Sequence, residues 1–414
     1  MNVCARLAGT ISVLVIAIVV QACGGESSAR EDDAGPPQIL GLAAAAHHVC
    51  VLLSDRSASC WGYLGASSSD WQSAPSAGSP SSVRGLNGAV ALAGGDFFTC
   101  AVLSDATATC WGDDSFGELG SDLSVNPPFS PTPVPVPQLA DVSAIAAGGE
   151  FACARHSSGT VDCWGSNSDG ELGNGTNSSG AGPVPVYGIA DAMGIAAGGT
   201  FACAVLSDGT VDCWGDTQLG ELGTSMITQG CPGNYPMCGS SLVPVQVPGL
   251  TGVQALAAGQ HFVCALQTGG TVACWGDDQY GEIGGAPQEM CGGLACSPTP
   301  TVVAGLDDVE AIAAGDEFAC ALISDGTVRC WGFNAYGQLG NGATADASAP
   351  IAVSGLAGAI AITASPDGDF ACALTSNSVV ECWGSDTSNE LGTTAAADTC
   401  DGNPCSSVPV TMAW

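Results

Sequence analysis

The sequence contains no lysine. Its basic side chains are Arg6, Arg30, Arg56, Arg84, Arg155 and Arg329, set against 40 Asp plus Glu, for a formal net charge of −34. Clustered Lys or Arg is what grips phosphate backbones and anionic headgroups, so nucleic acid is a poor partner and charge alone does not hold this chain on a membrane. Histidine is scarce as well, limited to His47, His48, His156 and His261. Neither a His-Glu-x-x-His nor a Gly-x-Ser-x-Gly segment occurs, which leaves the metalloprotease and serine-hydrolase signatures without support. Carboxylates abound, yet no motif singles out a hydrolytic pair. The expectation is a non-enzymatic protein without cofactor or metal. Charged residues are only 11% of the chain and hydrophobic ones 46%, a balance that excludes a disordered tail.

What is present begins with an export signal. After Arg6 comes an apolar run from Leu7 to Val20, too short for a membrane span. Val20-Gln21-Ala22-Cys23 resembles the lipobox of bacterial lipoproteins, in which the cysteine becomes lipidated and N-terminal. The plainer alternative makes Cys23 a small residue before an ordinary signal-peptidase cut. Residues 1–22 are thus expected to be removed, residues 23–38 to form a flexible polar tether, and 39–414 to form the folded body. The expected location is the cell envelope or surface, with membrane attachment through the lipid alone.

The chain has 22 cysteines, of which Cys4 would leave with the signal and Cys23 would carry the lipid. The rest fall into short-range pairs with none left over, as an oxidising compartment favours. Seven pairs share a ten-residue step and a following Trp-Gly: Cys50/Cys60, Cys100/Cys110, Cys153/Cys163, Cys203/Cys213, Cys264/Cys274, Cys320/Cys330 and Cys372/Cys382. Around each pair a longer phrase recurs, as in Ala311-Ile-Ala-Ala-Gly315, Phe318-Ala-Cys-Ala-Leu322, Ser324-Asp-Gly326, Val328-Arg-Cys-Trp-Gly332 and Gly337-Gln-Leu-Gly340. It reads as a strand of small residues, a hairpin about Ser-Asp-Gly, a Gly-rich turn and an outer strand such as Pro183-Val-Pro-Val186. Four short strands per unit is the count of a propeller blade. With Ser-Asp-Gly as the turn, folding about the Asp sets the two cysteines of a copy opposite each other, within disulfide reach. Alternation along the strand puts Val161 and Cys163 on one face and Asp162 and Trp164 on the other, so the tryptophans are expected to pack between blades.

Taken together, Ala-Ile-Ala-Ala-Gly, Cys-Ala-Leu, Asp-Gly-Thr-Val, Cys-Trp-Gly and Gly-Gln-Leu-Gly resemble the regulator of chromosome condensation repeat, over about residues 39 to 414. The resemblance implies an all-β, seven-bladed β-propeller of four-stranded blades with loops on two faces, here with one cross-strand disulfide per blade. Copies one and two depart at Ser54-Asp-Arg56 and Ser104-Asp-Ala106, copy seven at Thr375-Ser-Asn-Ser378. Copy one also has Tyr63-Leu-Gly65 in place of a phrase such as Gly337-Gln-Leu-Gly340. Whether the last strand completes blade seven or clasps blade one is open at this level.

In a repeat scaffold, departures are where function is sought. Three extra cysteine pairs, Cys231/Cys238, Cys291/Cys296 and Cys400/Cys405, sit in extended connections before an outer strand and are expected to staple loops on one face. Zinc is the sharper alternative, but no second pair or histidine stands beside them in sequence. Trp71 and Tyr235 are the candidate contact residues, with local apolar cover as the bland reading. Asp113-Asp114, Asp277-Asp278 and Asp307-Asp308 lack the alternation of a calcium loop and are read as turn caps. The expected function is a lipid-anchored, extracytoplasmic, monomeric scaffold for an unidentified protein partner, basic if charge decides. Nucleotide exchange on a small GTPase, by family analogy, and binding of a surface polysaccharide are the alternatives.

Overall fold

The computed structural model describes residues 37–63, 77–121, 128–224, 239–285, 289–393, 398–400 and 402–412. Seven antiparallel sheets follow one another along the chain, each built from consecutive strands, with no helix among the described residues. In blade three, Val142–Ala147, Phe151–His156, Val161–Gly165 and Gly180–Pro185 run in that order from the axis outward. The inner strands pack side by side, and Ile39–Ala44 meets Ala359–Ala364 to close the ring around a central cavity of about 170 Å³. Each blade gives the cavity one aliphatic side chain, from Leu42 and Leu92 to Ile312 and Ile362.

Seven strands converging on one axis leave little room, which is why the inner strands read Ala-Ile-Ala-Ala-Gly. A Cβ on Gly148 would lie 2.3 Å from Phe151 Cε1 and 2.4 Å from the Gly198 carbonyl of the next blade. The Trp-Gly glycine has a different reason. Gly165 has φ +107°, a left-handed conformation, at a register shift where its strand meets the outer one. The left-handed turn residue is usually Gly too, as at Gly159, but Arg56, Ala106 and Ser378 adopt the same conformation with φ of 67°, 63° and 60°. The departures in copies one, two and seven thus keep the turn and accept its steric cost.

Each repeated cysteine faces its partner directly in register, as Cys153↔Cys163 does. Around the ring Cys50–Cys60, Cys100–Cys110, Cys153–Cys163, Cys203–Cys213, Cys264–Cys274, Cys320–Cys330 and Cys372–Cys382 are all bonded, with Cα–Cα of 4.0–4.1 Å. These seven cystines are core and not surface. Cys110, Cys213, Cys274 and Cys330 on the third strands are each 0% exposed, sealed inside the apolar clusters between blades, so none of them forms part of a binding face.

Cys291–Cys296 and Cys400–Cys405 are bonded as well, while Cys231 and Cys238 lie outside the described residues. The two described extra pairs staple hairpins: short strands Glu289–Cys291 and Asp398–Cys400 fold onto the starts of long outer strands Leu294–Val302 and Asn403–Thr411. Blades five and seven therefore carry a fifth strand and a second disulfide.

The seams between blades hold the core. The cystine face of one blade packs on the tryptophan of the next, as Phe151, Cys153, Cys163 and Leu172 of blade three do on Trp214 of blade four. In the same way Cys213 of blade four shares a cluster with Trp275, Cys274 of blade five with Trp331, and Cys330 of blade six with Trp383. Cys110 of blade two shares one with Trp164. Among the described residues six tryptophans are wholly buried, and Trp111 is nearly so. Ring closure uses the same device. Asn403–Thr411 pairs with Val380–Ser385, so blade seven is completed by its own segment, and Trp61 packs on Cys372, Cys382, Leu391 and Met412. Among the described residues no strand is exchanged between the first and last blades.

Replacing Trp214 by Ala is expected to cost about 3–5 kcal/mol in urea denaturation under oxidising conditions. Trp214→Phe, which keeps most of the apolar bulk, should cost much less. Equal losses would assign the seam to hydrogen bonding instead of packing. Ala106→Gly should stabilise the fold by about 1 kcal/mol in the same assay.

Candidate functional site

Strands one and three of each blade end on the same side of the ring, so the turns before strand two and the loops after strand three share one face, here called the upper face; these loops read Gly-x-Leu-Gly, with Ile283 for Leu in copy five and Asn389 for the first Gly in copy seven. The loops are built alike. The side chain at x accepts the backbone N–H two residues before it: Phe116 to Glu118, Asp169 to Glu171, Leu219 to Glu221, Tyr280 to Glu282, Tyr336 to Gln338 and Ser388 to Glu390, all at 2.8–3.0 Å. The carbonyl of the same residue accepts the indole N–H of the next blade's tryptophan at 2.7–2.9 Å, at six seams. For the seam between blades one and two, the corresponding loop falls in residues 64–76, outside the described ones.

The loop's second residue adds a further staple. Asp114, Asn167, Asp278, Asn334 and Asp386 accept the N–H of the residue five ahead at 2.9–3.2 Å. Asp114 and Asp278 are thereby turn caps. Asp308 belongs to the opposite face, where its carbonyl accepts Ser324 N–H at 3.0 Å.

The Gly-x-Leu-Gly position, the residue after Trp-Gly, and the turn residue of the following blade make a trio at each seam. These trios depart from one another. They read Asp113, Glu118, Glu150; Ser166, Glu171, Thr200; Asp216, Glu221, His261; Asp277, Glu282, Glu317; Phe333, Gln338, Asp369; and Ser385, Glu390, His47. In the sixth blade Gln338 donates to Asp369 at 3.0 Å. At closure, His47 Nδ1 stands 4.0 Å from Glu390 Oε1. Where copy one departs, the contact is aromatic, with Tyr63 and Phe97 edge to face at 6.3 Å.

Nearer the axis a ring of backbone hydrogen bonds ties the turns together, from Ala46 to Gly95, Asp96 to Gly149, Gly149 to Gly199, Gly199 to Gln260, Gln260 to Asp316 and Asp316 to Gly368, at 3.1–3.3 Å. Blade seven departs with the longer turn Ser365-Pro366-Asp367-Gly368, which carries the Asp367 carboxylate across the mouth of the channel. Gln260 Nε2 donates to it at 2.8 Å, and it would lie 3.5 Å from a Cβ on either Gly149 or Gly199.

Burial raises the proton affinity of the carboxylates on this face. It lifts Glu118 and Glu390 to about 8 and Glu282 to about 9. Burial, then Asp369 and Glu317, lifts Asp316 to about 8, and burial, then Asp369, lifts Glu317 to about 7. Asp96 is pushed well above the carboxylate range by burial and by Asp367. Burial opposes the charge of His261, but Glu221 and Asp216 outweigh it and raise it to about 9.

The contact residues expected from sequence, Trp71 and Tyr235, and the lipidation residue Cys23 lie outside the described residues. The upper face instead exposes Phe116 and, on the Cys291–Cys296 hairpin, Met290 and Leu294, at 45%, 67% and 43%. The carboxylates of Gly-x-Leu-Gly were missed as a group. Their signal was an acid or amide at one position of six copies.

A carboxylate raised on folding contributes stability that is complete below its ordinary value near 4.5 and fades as pH climbs through 8–9. The melting temperature should therefore fall from pH 5 to pH 9. Glu282→Gln, an exchange the repeat makes at Gln338, should reduce that fall. An unchanged pH profile in the variant would refute the assignment.

Models of the regulator of chromosome condensation (RCC1) repeat match residues 89–118, 142–171, 194–221, 253–282 and 309–338, and a second such model matches 158–205 and 325–374. The E3 ubiquitin-protein ligase HERC2 of Mus musculus is 31% identical over 164 residues, 37% of this chain but only 3% of that protein's length. The ultraviolet-B receptor UVR8 of Arabidopsis thaliana is 27% identical over 397 residues, 90% of this chain and 83% of the receptor. Among solved structures, Prp20p of Saccharomyces cerevisiae matches with TM-score 0.70 and 21% identity, over 91% of this chain and 88% of its own. Human WBSCR16 matches with TM-score 0.66 and 20% identity, over 79% and 85%.

Proposed function

Because this chain belongs to the regulator of chromosome condensation (RCC1) repeat family, we propose that it is an extracytoplasmic, lipid-anchored, non-enzymatic scaffold whose upper face binds a basic protein. The observation that carries the reading is the gathering of Asp96, Glu150, Asp316, Glu317, Asp367 and Asp369 around one end of the axis. Carboxylates held together in partial burial repel one another and are poorly solvated, and a guanidinium or ammonium group seated among them relieves both costs.

Apolar contacts support the same face. The stapled hairpin presents Met290 and Leu294 in a pre-ordered form, which reduces the entropy lost on docking. Prp20p is described with binding properties to Gsp1p and histones and is known bound to Kap60, which favours protein binding at the level of class. The ligase activity of HERC2 is not carried over, since the match spans so little of that protein. Export is supported by the signal-like residues 1–22 and by the bonded cysteines, which persist in oxidising compartments.

Affinity capture from envelope extract should recover a saturable protein partner that elutes as salt rises to about 0.5 M, where surface charge is largely screened. The triple variant Asp96→Asn, Asp316→Asn, Asp367→Asn should lose it, and undiminished capture would sink the acidic-face reading. Mass spectrometry of the mature protein should find Cys23 N-terminal and acylated. An unmodified terminus elsewhere would remove the anchor.

A further inference from the structure

Between blades four and five, and nowhere else among the described residues, an imidazole and two carboxylates bring ligand atoms together. One atom each of Asp216, Glu221 and His261 lies within 4.8 Å of the others. His261 Nδ1 and Glu221 Oε1 stand 3.3 Å apart. Two ligands about 2.0–2.2 Å from a tetrahedral zinc ion are themselves separated by about 3.3–3.5 Å, so this pair has the spacing of two zinc ligands.

The carboxylates are each held by one oxygen. Asp216 Oδ1 accepts the N–H groups of Thr217 and Gln218 at 2.7 and 3.0 Å, and Glu221 Oε2 accepts that of Leu219 at 2.9 Å. Glu221 is 0% exposed, and apart from the His261 Nδ1 that faces it at 3.3 Å its Oε1 meets no hydrogen-bond donor. A carboxylate oxygen sealed from water with one long contact to an imidazole is incompletely compensated. A bound cation removes that cost, and the backbone bonds hold both carboxylates in place to receive it.

We infer that Asp216, Glu221 and His261 form a divalent-cation site whose preferred occupant is zinc. One imidazole with two carboxylates suits a borderline ion in a small coordination shell. Calcium takes six or more oxygens and magnesium a near-ideal octahedron. The His261 side chain is 34% exposed, which leaves the solvent side open for a fourth ligand such as water. The closure seam is an internal comparison: His47 Nδ1 and Glu390 Oε1 are 4.0 Å apart there, and Ser385 stands where Asp216 does. The site does not depend on whether the upper face binds a protein.

The test uses the untagged mature chain, stripped with chelator, titrated calorimetrically with zinc chloride and assayed for bound metal. One zinc per chain is expected. Glu221→Gln and His261→Thr place residues that the repeat itself carries at the equivalent positions, Gln338 and Thr200, so both variants are expected to fold. Each should bind zinc at least about tenfold more weakly, while His47→Thr should bind it like the parent chain. Absence of stoichiometric zinc in the parent, parental affinity in both site variants, loss of binding in His47→Thr, or displacement of zinc by equimolar calcium would each overturn the proposal.

Discussion

The fold depends on one seam repeated around a ring. A tryptophan from one blade lies on the cystine, phenylalanine and leucine of the blade before it, and its indole N–H reaches back to a carbonyl in the preceding Gly-x-Leu-Gly loop. A four-stranded sheet of this size has two apolar faces and cannot bury either alone. The seam solves both problems, since each blade offers a tryptophan to one neighbour and a cystine to the other. The disulfides stiffen single blades and do not tie the ring. Closure at Trp61 rests on the same packing as every other seam.

That dependence constrains where chemistry can sit. The side chain at x in Gly-x-Leu-Gly caps its own loop with one oxygen, and the carbonyl behind it holds the next tryptophan. The other end of that side chain meets the next blade's turn where Gln338 reaches Asp369, Glu390 His47 and Glu221 His261, while Glu171 turns to Ser166 of its own blade. What the following turn supplies differs from seam to seam: an acid at Glu150 and Glu317, an acceptor for the Gln338 amide at Asp369, a hydroxyl at Thr200, an imidazole at His47 and His261. The scaffold is constant and the trio is free to vary, so binding chemistry can differ from seam to seam without cost to the ring.

Much of this was legible in the residues themselves. The ten-residue cysteine step with its Trp-Gly states the hairpin register, because a turn centred midway between the two cysteines, at Asp208 in one copy and Ser158 in another, sets them directly opposite each other. That Cys110, Cys213, Cys274 and Cys330 would each end against the next blade's tryptophan was not legible, because that contact crosses a seam. The Ala-Gly pairs state the crowding at the axis. The lysine-free composition states that any charged surface must be acidic. Less legible were Arg56, Ala106 and Ser378, which look like broken turns and are not, since backbone context imposes a left-handed conformation that sequence preference only favours. Met290 and Leu294 were hidden behind their cysteines, because exposure is a property of the folded hairpin.

The sequence by itself determined the repeat, the pairing of cysteines within blades and the sign of the surface charge, because these follow from spacing and composition along a chain. Tertiary structure decided how the ring closes, which face gathers the acids, and that Asp216, Glu221 and His261 come together. These last depend on residues of adjacent blades, and separation along the chain, 40 residues between Glu221 and His261, says nothing about distance across a seam until the ring has been built.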